Sequence, residues 1–215
     1  MPKSLSVTTY AMAAELPWPD AALAADALGA LDPASLLSAG QSQPCALRKI
    51  SPLGATLRGA GIKAGGAPVA VELETGQRAA GIVDWANGGE AGVRFAQPVD
   101  MISLLNRKLV SQPAERRKMP RVELRYPVGV KWGVNLAAAS LRNISAGGLQ
   151  IEGEGLPGRD TFVSLFIDGL NVSSGEVAWA SGKLAGIEFM EELSWASIMP
   201  WIRDVLRGHE KAAAA

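Results

Sequence analysis

Basic side chains are concentrated in one stretch of this 215-residue chain. Between Arg107 and Arg125 there are seven basic residues: Arg107, Lys108, Arg116, Arg117, Lys118, Arg121 and Arg125. Only Glu115 and Glu123 oppose them, so the stretch carries a net charge of +5, while the chain as a whole is neutral. A local excess on an otherwise acidic protein is compatible with a site for one compact anion rather than for a polymer, but charge alone favours a solvated linker.

A second candidate motif follows about twenty residues later, as Asn143-Ile144-Ser145-Ala146-Gly147-Gly148. Asn, Ser and Gly in this order are typical of a turn between two strands, because the polar side chains bond their own backbone. The same side chains carry hydrogen-bonding oxygens that a ligand can use. The pattern by itself leaves both interpretations open.

Much enzyme chemistry is disfavoured by composition. The chain has one cysteine, Cys45, and one histidine, His209, which argues against a disulfide framework, a CxxC metal site and histidine-based catalysis. Neither a GxxxxGK[ST] phosphate loop nor a GxSxG nucleophile elbow is present. We therefore expect a protein that is not an enzyme and needs no metal or cofactor.

Charge and hydropathy limit the classes of partner that this protein is expected to bind. Lys plus Arg and Asp plus Glu both number 21, and a general nucleic-acid binder would show a basic excess. No run of about eighteen apolar residues is long enough for a membrane helix, and the short run Ala11–Ala14 ends at Glu15, too early for a signal peptide. We expect a cytoplasmic protein without nucleic-acid binding or membrane insertion.

Three sequence blocks recur with one offset of 94 residues. The block at 47–54 aligns with 141–148, the block at 81–85 with 175–179, and the block at 91–95 with 185–189. A shared offset without a gap indicates two copies of one domain. The polar, proline-bearing Ser111-Gln112-Pro113 marks the boundary.

Each copy has the pattern of short strands followed by one helix. Leu149-Gln150-Ile151 and Val163–Ile167 alternate apolar and polar residues, as half-buried strands do. Ile198, Ile202 and Val205 then follow helical spacing. The prediction is a mainly β protein with two tandem small antiparallel barrels, each followed by a C-terminal helix. Asp20–Leu31 predicts a further short helix.

The two motifs together resemble the PilZ family of bacterial cyclic di-GMP receptors. Arg117 and Arg121 form an RxxxR element, and Asn143-x-Ser145-x-x-Gly148 follows it. Pro127-Val128, the block Gly186–Phe189 and the ending helix also fit, so the resemblance covers residues 115 to about 207. It implies a six-stranded antiparallel barrel with a C-terminal helix, and cyclic di-GMP as the ligand.

The resemblance also implies roles for residues. Arg117 and Arg121 are the expected main ligand contacts, with Arg116 as a helper, because a guanidinium grips phosphate or guanine with two parallel hydrogen bonds. Asn143 and Ser145 would accept from guanine N–H groups or hold the turn; the family often has Asp where this chain has Asn143. Expected further members are Gly148, where a side chain would block a positive φ or intrude on the ligand, and Trp179, either a base platform or a core residue.

The first copy departs from the family pattern. Position 49 is Lys, and residues 116, 117 and 121 correspond to Ala22, Leu23 and Ala27. We therefore expect residues 1–110 to form a degenerate PilZ-like domain with an Ala-rich extension, 111–121 a basic linker, and 122–215 the PilZ domain.

The expected function is a cyclic di-GMP receptor whose domains rearrange on binding to regulate motility, biofilm or polysaccharide output, acting on a downstream protein. The alternative is a PilZ-like adaptor that binds a protein partner without ligand.

Overall fold

The structure, a computed structural model, describes residues 7–19, 31–59, 62, 65–66, 68–111, 120–172 and 174–213. The chain forms two compact units, and the boundary between them in the sequence lies between Arg121 and Val122. The helix predicted at Asp20–Leu31 lies almost wholly outside the described residues, as do Arg116 and Arg117.

The second unit is a closed barrel of six antiparallel strands followed by a helix. Its elements are β8 (Arg121–Trp132), β9 (Asn135–Ser145), β10 (Gly148–Gly153), β11 (Phe162–Phe166), β12 (Ser174–Ser181), β13 (Leu184–Phe189) and α2 (Trp195–Ala213). The pairing runs β8–β9–β10–β13–β12–β11, and β11 pairs with β8 to close the ring. The predicted mainly β class and the six-stranded antiparallel barrel are confirmed for this unit.

The first unit has six strands and a helix like those of the second, and one short strand, β1, comes before them. Its elements are β1 (Thr9–Ala11), β2 (Asp32–Ser38), β3 (Gln41–Ser51), β4 (Gly54–Arg58), β5 (Pro68–Leu73), β6 (Arg78–Asn87), β7 (Glu90–Phe95) and α1 (Met101–Ser111). Strands β2 to β7 pair antiparallel in the order β2–β3–β4–β7–β6–β5, and β5 returns to β2. Strand β1, which alternation in the sequence did not indicate, pairs parallel with β3.

Strand bounds in the two units follow the offset of 94. Strands β3 and β9 both correspond over eleven residues, β7 and β13 over six, and helices α1 and α2 begin at Met101 and Trp195. The irregularities correspond as well, because the pairing register shifts between Val83 and Trp85 in one unit and between Val177 and Trp179 in the other. The residues of one unit therefore have direct counterparts in the other.

The interior of the second barrel is formed by alternate residues of its strands. Leu141, Ile144, Ile151, Val177 and Ile187 are all at most 2% exposed. Residues between them, such as Asn143 and Gln150, face outward and are partly exposed, as the period of two along a strand requires. This alternation places the polar candidates on the outer surface.

Candidate ligand site

The candidate residues of the second unit lie on two neighbouring rows across the outer face of the barrel. The first row, called the Asn–Trp row, consists of Asn143, Gln150, Gly186 and Trp179, which are paired in succession across β9, β10, β13 and β12. The second row, called the Ser–Glu row, consists of Ser145, Gly148, Glu188 and Glu176, paired across the same strands. Along β9, β10 and β13 the rows are two residues apart, a distance of about 7 Å, and along β12 the bulge makes the separation three residues.

Asn143 is oriented by a neighbour that the motif does not contain. Its Nδ2 donates to Oε1 of Gln150 at 2.6 Å. The Asn143 Oδ1 consequently remains an acceptor, and among the described residues it has no hydrogen-bond partner. The alternation Leu149-Gln150-Ile151 places Gln150 on the outer face, but its pairing with Asn143 depends on the register of β9 and β10.

Ser145 closes its own turn. Its hydroxyl donates to the carbonyl oxygen of Gly148 at 3.2 Å, and the two residues face each other at the start of the β9–β10 hairpin. This is the turn-stabilising role that the Asn-Ser-Gly pattern predicts. The hydroxyl oxygen keeps lone pairs as acceptors toward the outer face.

Of the two reasons expected for Gly148, the structure contradicts the positive φ and leaves the room for a ligand as a prediction. Gly148 is not among the described glycines with positive φ, so the expectation of a left-handed backbone there is wrong. A Cβ at Gly148 would instead collide with the carbonyl oxygen of Ile187 on β13. The glycine therefore permits close approach of β10 and β13, which the sequence spacing alone does not reveal.

Trp179 lies on the outer face at the end of the Asn–Trp row and is 39% exposed, so it is not part of the barrel core. Its indole lies against Gly186, where a Cβ would overlap the ring nitrogen. No other aromatic ring among the described residues stacks on it. An exposed flat indole of this kind can accept a base or another ring.

Arg121 is the first residue of β8, next to Val122, which pairs with Ile144. The side chain is half-buried, and burial lowers the pKa of its guanidinium from the ordinary value. Among the described residues it has no side-chain hydrogen bond or ion pair. A partly desolvated arginine of this kind gains more from an anionic partner than an exposed one.

A further arginine pair near the rows was not recognised in the sequence. Arg125 and Arg142 both donate from Nη1 to Oε2 of Glu152, at 2.8 and 2.9 Å. These hydrogen bonds lower the pKa of the Glu152 carboxyl. Arg142 occupies the bulge of β9 beside Asn143, and only the three-dimensional pairing brings it to Glu152.

The described ranges of the chain also bear on metal binding and on membrane insertion. Within those ranges, no three His, Cys, Asp or Glu side chains are grouped as a metal site would need. No helix there has the length and apolar content to cross a membrane.

Several solved structures are similar at low identity. The PlzA protein of Borreliella burgdorferi in complex with c-di-GMP is 11% identical, with 79% of this chain and 85% of that chain covered and a TM-score of 0.30. The inhibitor of motility MotI/DgrA of Bacillus subtilis is 13% identical, with 82% of this chain and 97% of that chain covered and a TM-score of 0.32. YcgR of Escherichia coli in complex with c-di-GMP is 13% identical, with 86% of this chain and 86% of that chain covered and a TM-score of 0.27. Similarity at this level carries no conclusion about this chain.

The sequence matches none of the curated proteins. The family model for the PilZ domain matches residues 115–199. That range includes the arginine segment, defined as Arg116–Arg121, contains all six strands of the second barrel and ends within α2. Residues 115–199 of this chain therefore match the PilZ domain family.

Proposed function

We propose that this protein is a receptor for cyclic di-GMP, which binds on the outer face of the second barrel. The observation that carries the proposal is that this face, inside the PilZ match, presents Asn143, Ser145 and Trp179 on two adjacent rows. Cyclic di-GMP has two phosphates and two guanines, so it needs cationic forks, hydrogen-bond acceptors and a flat apolar surface.

The proposed roles follow from the chemistry of each group. Arg117 and Arg121, with Arg116 beside them, would hold phosphate oxygens or the O6 and N7 atoms of guanine. The Asn143 Oδ1 would accept from a guanine N–H group, because its Nδ2 is already engaged by Gln150. Trp179 would lie against a guanine ring. No catalytic step is required, so the proposed protein is a receptor and not an enzyme.

The arginine segment connects the two units, which suggests how binding is transmitted. Ligand phosphates would neutralise the repelling cations and draw the segment onto the second barrel. Such a change shifts the arrangement of the units only as far as the ligand prefers one state over the other. We propose that this switch regulates motility, biofilm or polysaccharide output through a downstream protein in the cytoplasm.

Calorimetric titration of the purified full-length chain with cyclic di-GMP tests the proposal. We expect saturable binding that the double variant Arg117→Ala, Arg121→Ala weakens at least about a hundredfold, since two charge-assisted hydrogen bonds of about 1.5 kcal/mol or more are lost. Arg207→Ala removes an exposed arginine of α2, whose partner is Asp204, and should bind as the wild type does. Wild-type protein that shows no saturable heat would refute the receptor function.

A second candidate function is supported by an exposed apolar surface on the same unit. Phe162 and Phe166 of β11 are 64% and 56% exposed, and Met190 is 58% exposed. Phe162 and Met190 line a shallow depression with Lys131 and Trp132. Exposed apolar patches of this kind are typical of protein-binding surfaces, which favours the adaptor alternative if the titration shows no nucleotide binding.

A further inference from the structure

One outer face of the first barrel is covered, although outward positions of a barrel are ordinarily half-exposed. In β4, Ala55 and Leu57 face the interior, opposite Ile50 and Leu47. The intervening Thr56 faces outward, yet it is 0% exposed, as is Ser51 of β3. Strand β4 is therefore buried on both faces, which requires something outside the barrel to cover it.

The cover is the chain's own segment Glu15–Trp18. The hydroxyl of Ser51 donates to the carbonyl oxygen of Glu15 at 2.6 Å, and the hydroxyl of Thr56 donates to that of Pro17 at 2.7 Å. Pro17 itself is buried. A Cβ at Gly54 would collide with the carbonyl oxygen of Val93 at 2.6 Å and would also come within 3.2 Å of the Pro17 ring.

An aromatic contact completes the covered face. The rings of Trp18 and Trp85 meet edge to face, with centroids 5.9 Å apart and planes at 89°, which is a favoured arrangement for two aromatic side chains. Gly92 lies below both rings, and a Cβ there would collide with each of them. The segment is thus held by two hydroxyl donors, a proline contact and a tryptophan contact.

The covered face is the counterpart of the candidate site in the second barrel. At the offset of 94, Ser51 corresponds to Ser145, Gly54 to Gly148, Thr56 to Gln150, Trp85 to Trp179 and Gly92 to Gly186. In the second barrel the outward residues Gly148 and Gln150 of β10 are partly exposed, and Trp179 is 39% exposed. The same face is thus covered by a peptide in one barrel and accessible in the other.

We infer that this face of the first barrel is a peptide-binding groove, and that residues Glu15–Trp18 are its intramolecular ligand. The groove recognises an extended segment with two backbone carbonyls two residues apart, a proline at the second and a tryptophan after it. Its sequence departs from the nucleotide-binding pattern, since Lys49 stands at the position of Asn143, and Ala22, Leu23 and Ala27 stand at the positions of Arg116, Arg117 and Arg121. The inference is independent of ligand binding by the second barrel.

The test uses the full-length chain with the segment weakened by Pro17→Ser and Trp18→Ala. A fluorescently labelled synthetic peptide covering residues 13–19 is added in trans, and its anisotropy is measured. We expect saturable binding to this variant and at least tenfold weaker binding to the wild type, where the segment already fills the groove. A peptide carrying Trp18→Ala should bind the variant at least tenfold more weakly than the natural peptide.

A second substitution tests the contact itself. Thr56→Val in the weakened variant keeps the side-chain shape but removes the donor to the Pro17 carbonyl, and should reduce peptide affinity about fivefold. If the weakened variant does not fold, as judged by circular dichroism, Trp18→Ala alone opens the groove with a smaller loss of contacts, and the same peptide must bind it.

Two outcomes would overturn the inference. One is a folded variant to which the peptide shows no saturable binding. The other is a variant that gains a second equivalent of bound cyclic di-GMP, because the covered face would then be a blocked nucleotide site. If the wild type binds no cyclic di-GMP, the receptor proposal fails, and the peptide measurement still tests the peptide-binding groove.

Discussion

Gln150 orients the candidate site without belonging to the motif that indicates it. The 2.6 Å hydrogen bond from Asn143 Nδ2 to Gln150 Oε1 leaves the Asn143 Oδ1 as an acceptor that has no partner among the described residues. An acceptor fixed in this way can bind the N1–H or N2–H donors of guanine, whereas adenine offers it only the N6 amino group. The choice of base in our proposal therefore depends on a neighbouring strand.

At Arg121 the geometry of the cation should matter as well as its charge. Lysine keeps the charge but lacks the planar pair of donors that grips phosphate or guanine. We expect Arg121→Lys to lose cyclic di-GMP affinity by about tenfold or more, close to the loss in Arg121→Ala. Calorimetry on the two variants makes the comparison; binding by Arg121→Lys equal to the wild type would show that only charge is needed.

Paired tryptophan and glycine residues on adjacent strands are a structural element that both units share. Trp85 lies against Gly92, and Trp179 lies against Gly186. Each tryptophan follows a shift in the strand register, and a bulge of this kind re-aims the side chain that follows it. The element thus places an indole on the outer face of each barrel.

Because a Cβ at Gly186 would overlap the indole of Trp179, we expect Gly186→Ala to destabilise the protein by about 1–3 kcal/mol through overpacking. In a Trp179→Ala background the ring is absent, and the same change should cost clearly less. Urea denaturation of the four proteins in this cycle measures the difference. Equal costs in both backgrounds would show that the clash lies elsewhere, in the backbone of β12 or β13.

Helix α1 begins at a capping aspartate whose protonation can be followed. Asp100 Oδ1 accepts from the backbone N–H of Ile102 and Ser103 at 3.0 and 3.1 Å, and the Ser103 hydroxyl donates to Oδ2 at 2.6 Å. The hydroxyl and backbone hydrogen bonds from Ser103 lower the pKa of Asp100. We expect Asp100→Ala to cost about 1 kcal/mol at pH 7.

The sign of the pH dependence follows from that lowered pKa. The charged cap contributes fully above the unfolded pKa of about 3.9 and loses its advantage as pH falls toward the lower folded value. The stability difference between wild type and Asp100→Ala should thus narrow between pH 5 and pH 3. Asp100→Ser, which copies the counterpart Ser194, is the control and should lose less stability at pH 7 than Asp100→Ala. A stability difference between wild type and Asp100→Ala that does not change with pH would contradict the charge effect.

At the scale of the whole molecule, the two barrels have the same strand order but different outer faces. The first has its face covered by Glu15–Trp18, and the second presents the candidate ligand rows. One barrel is thus proposed to hold a peptide and the other a nucleotide. The arginine segment between them is the proposed connection.

Small-angle scattering tests whether ligand binding changes the arrangement of the two units. We expect the profile of the full-length chain to change at saturating cyclic di-GMP, and the profile of Arg117→Ala, Arg121→Ala to stay the same at that concentration. Identical wild-type profiles with and without ligand, in a sample that calorimetry shows to be saturated, would remove the switch and leave the receptor function intact.

Helix α1 shows where sequence patterns are insufficient. Lys108 reads as one more cation of the basic stretch, yet it is 3% exposed, with its Nζ 2.6 Å from Asp32 Oδ1 and 3.1 Å from Glu74 Oε2. The counterpart of Lys108 in α2 is the buried Ile202. A buried lysine is stable only where carboxylates meet it, and Asp32 lies 76 residues away in the sequence.

The sequence by itself determined the mainly β class, the offset of 94 residues, the turn at Ser145–Gly148 and the outward direction of Gln150. These follow from local rules, since side chains alternate along a strand and turns need particular residues. Only the tertiary structure decided that the Ile187 carbonyl oxygen leaves no room for a Cβ at Gly148 and that Asn143 donates to Gln150. It also decided that Pro17 and Trp18 cover one face of the first barrel. These contacts depend on strand register and on packing between distant segments, which no local pattern encodes.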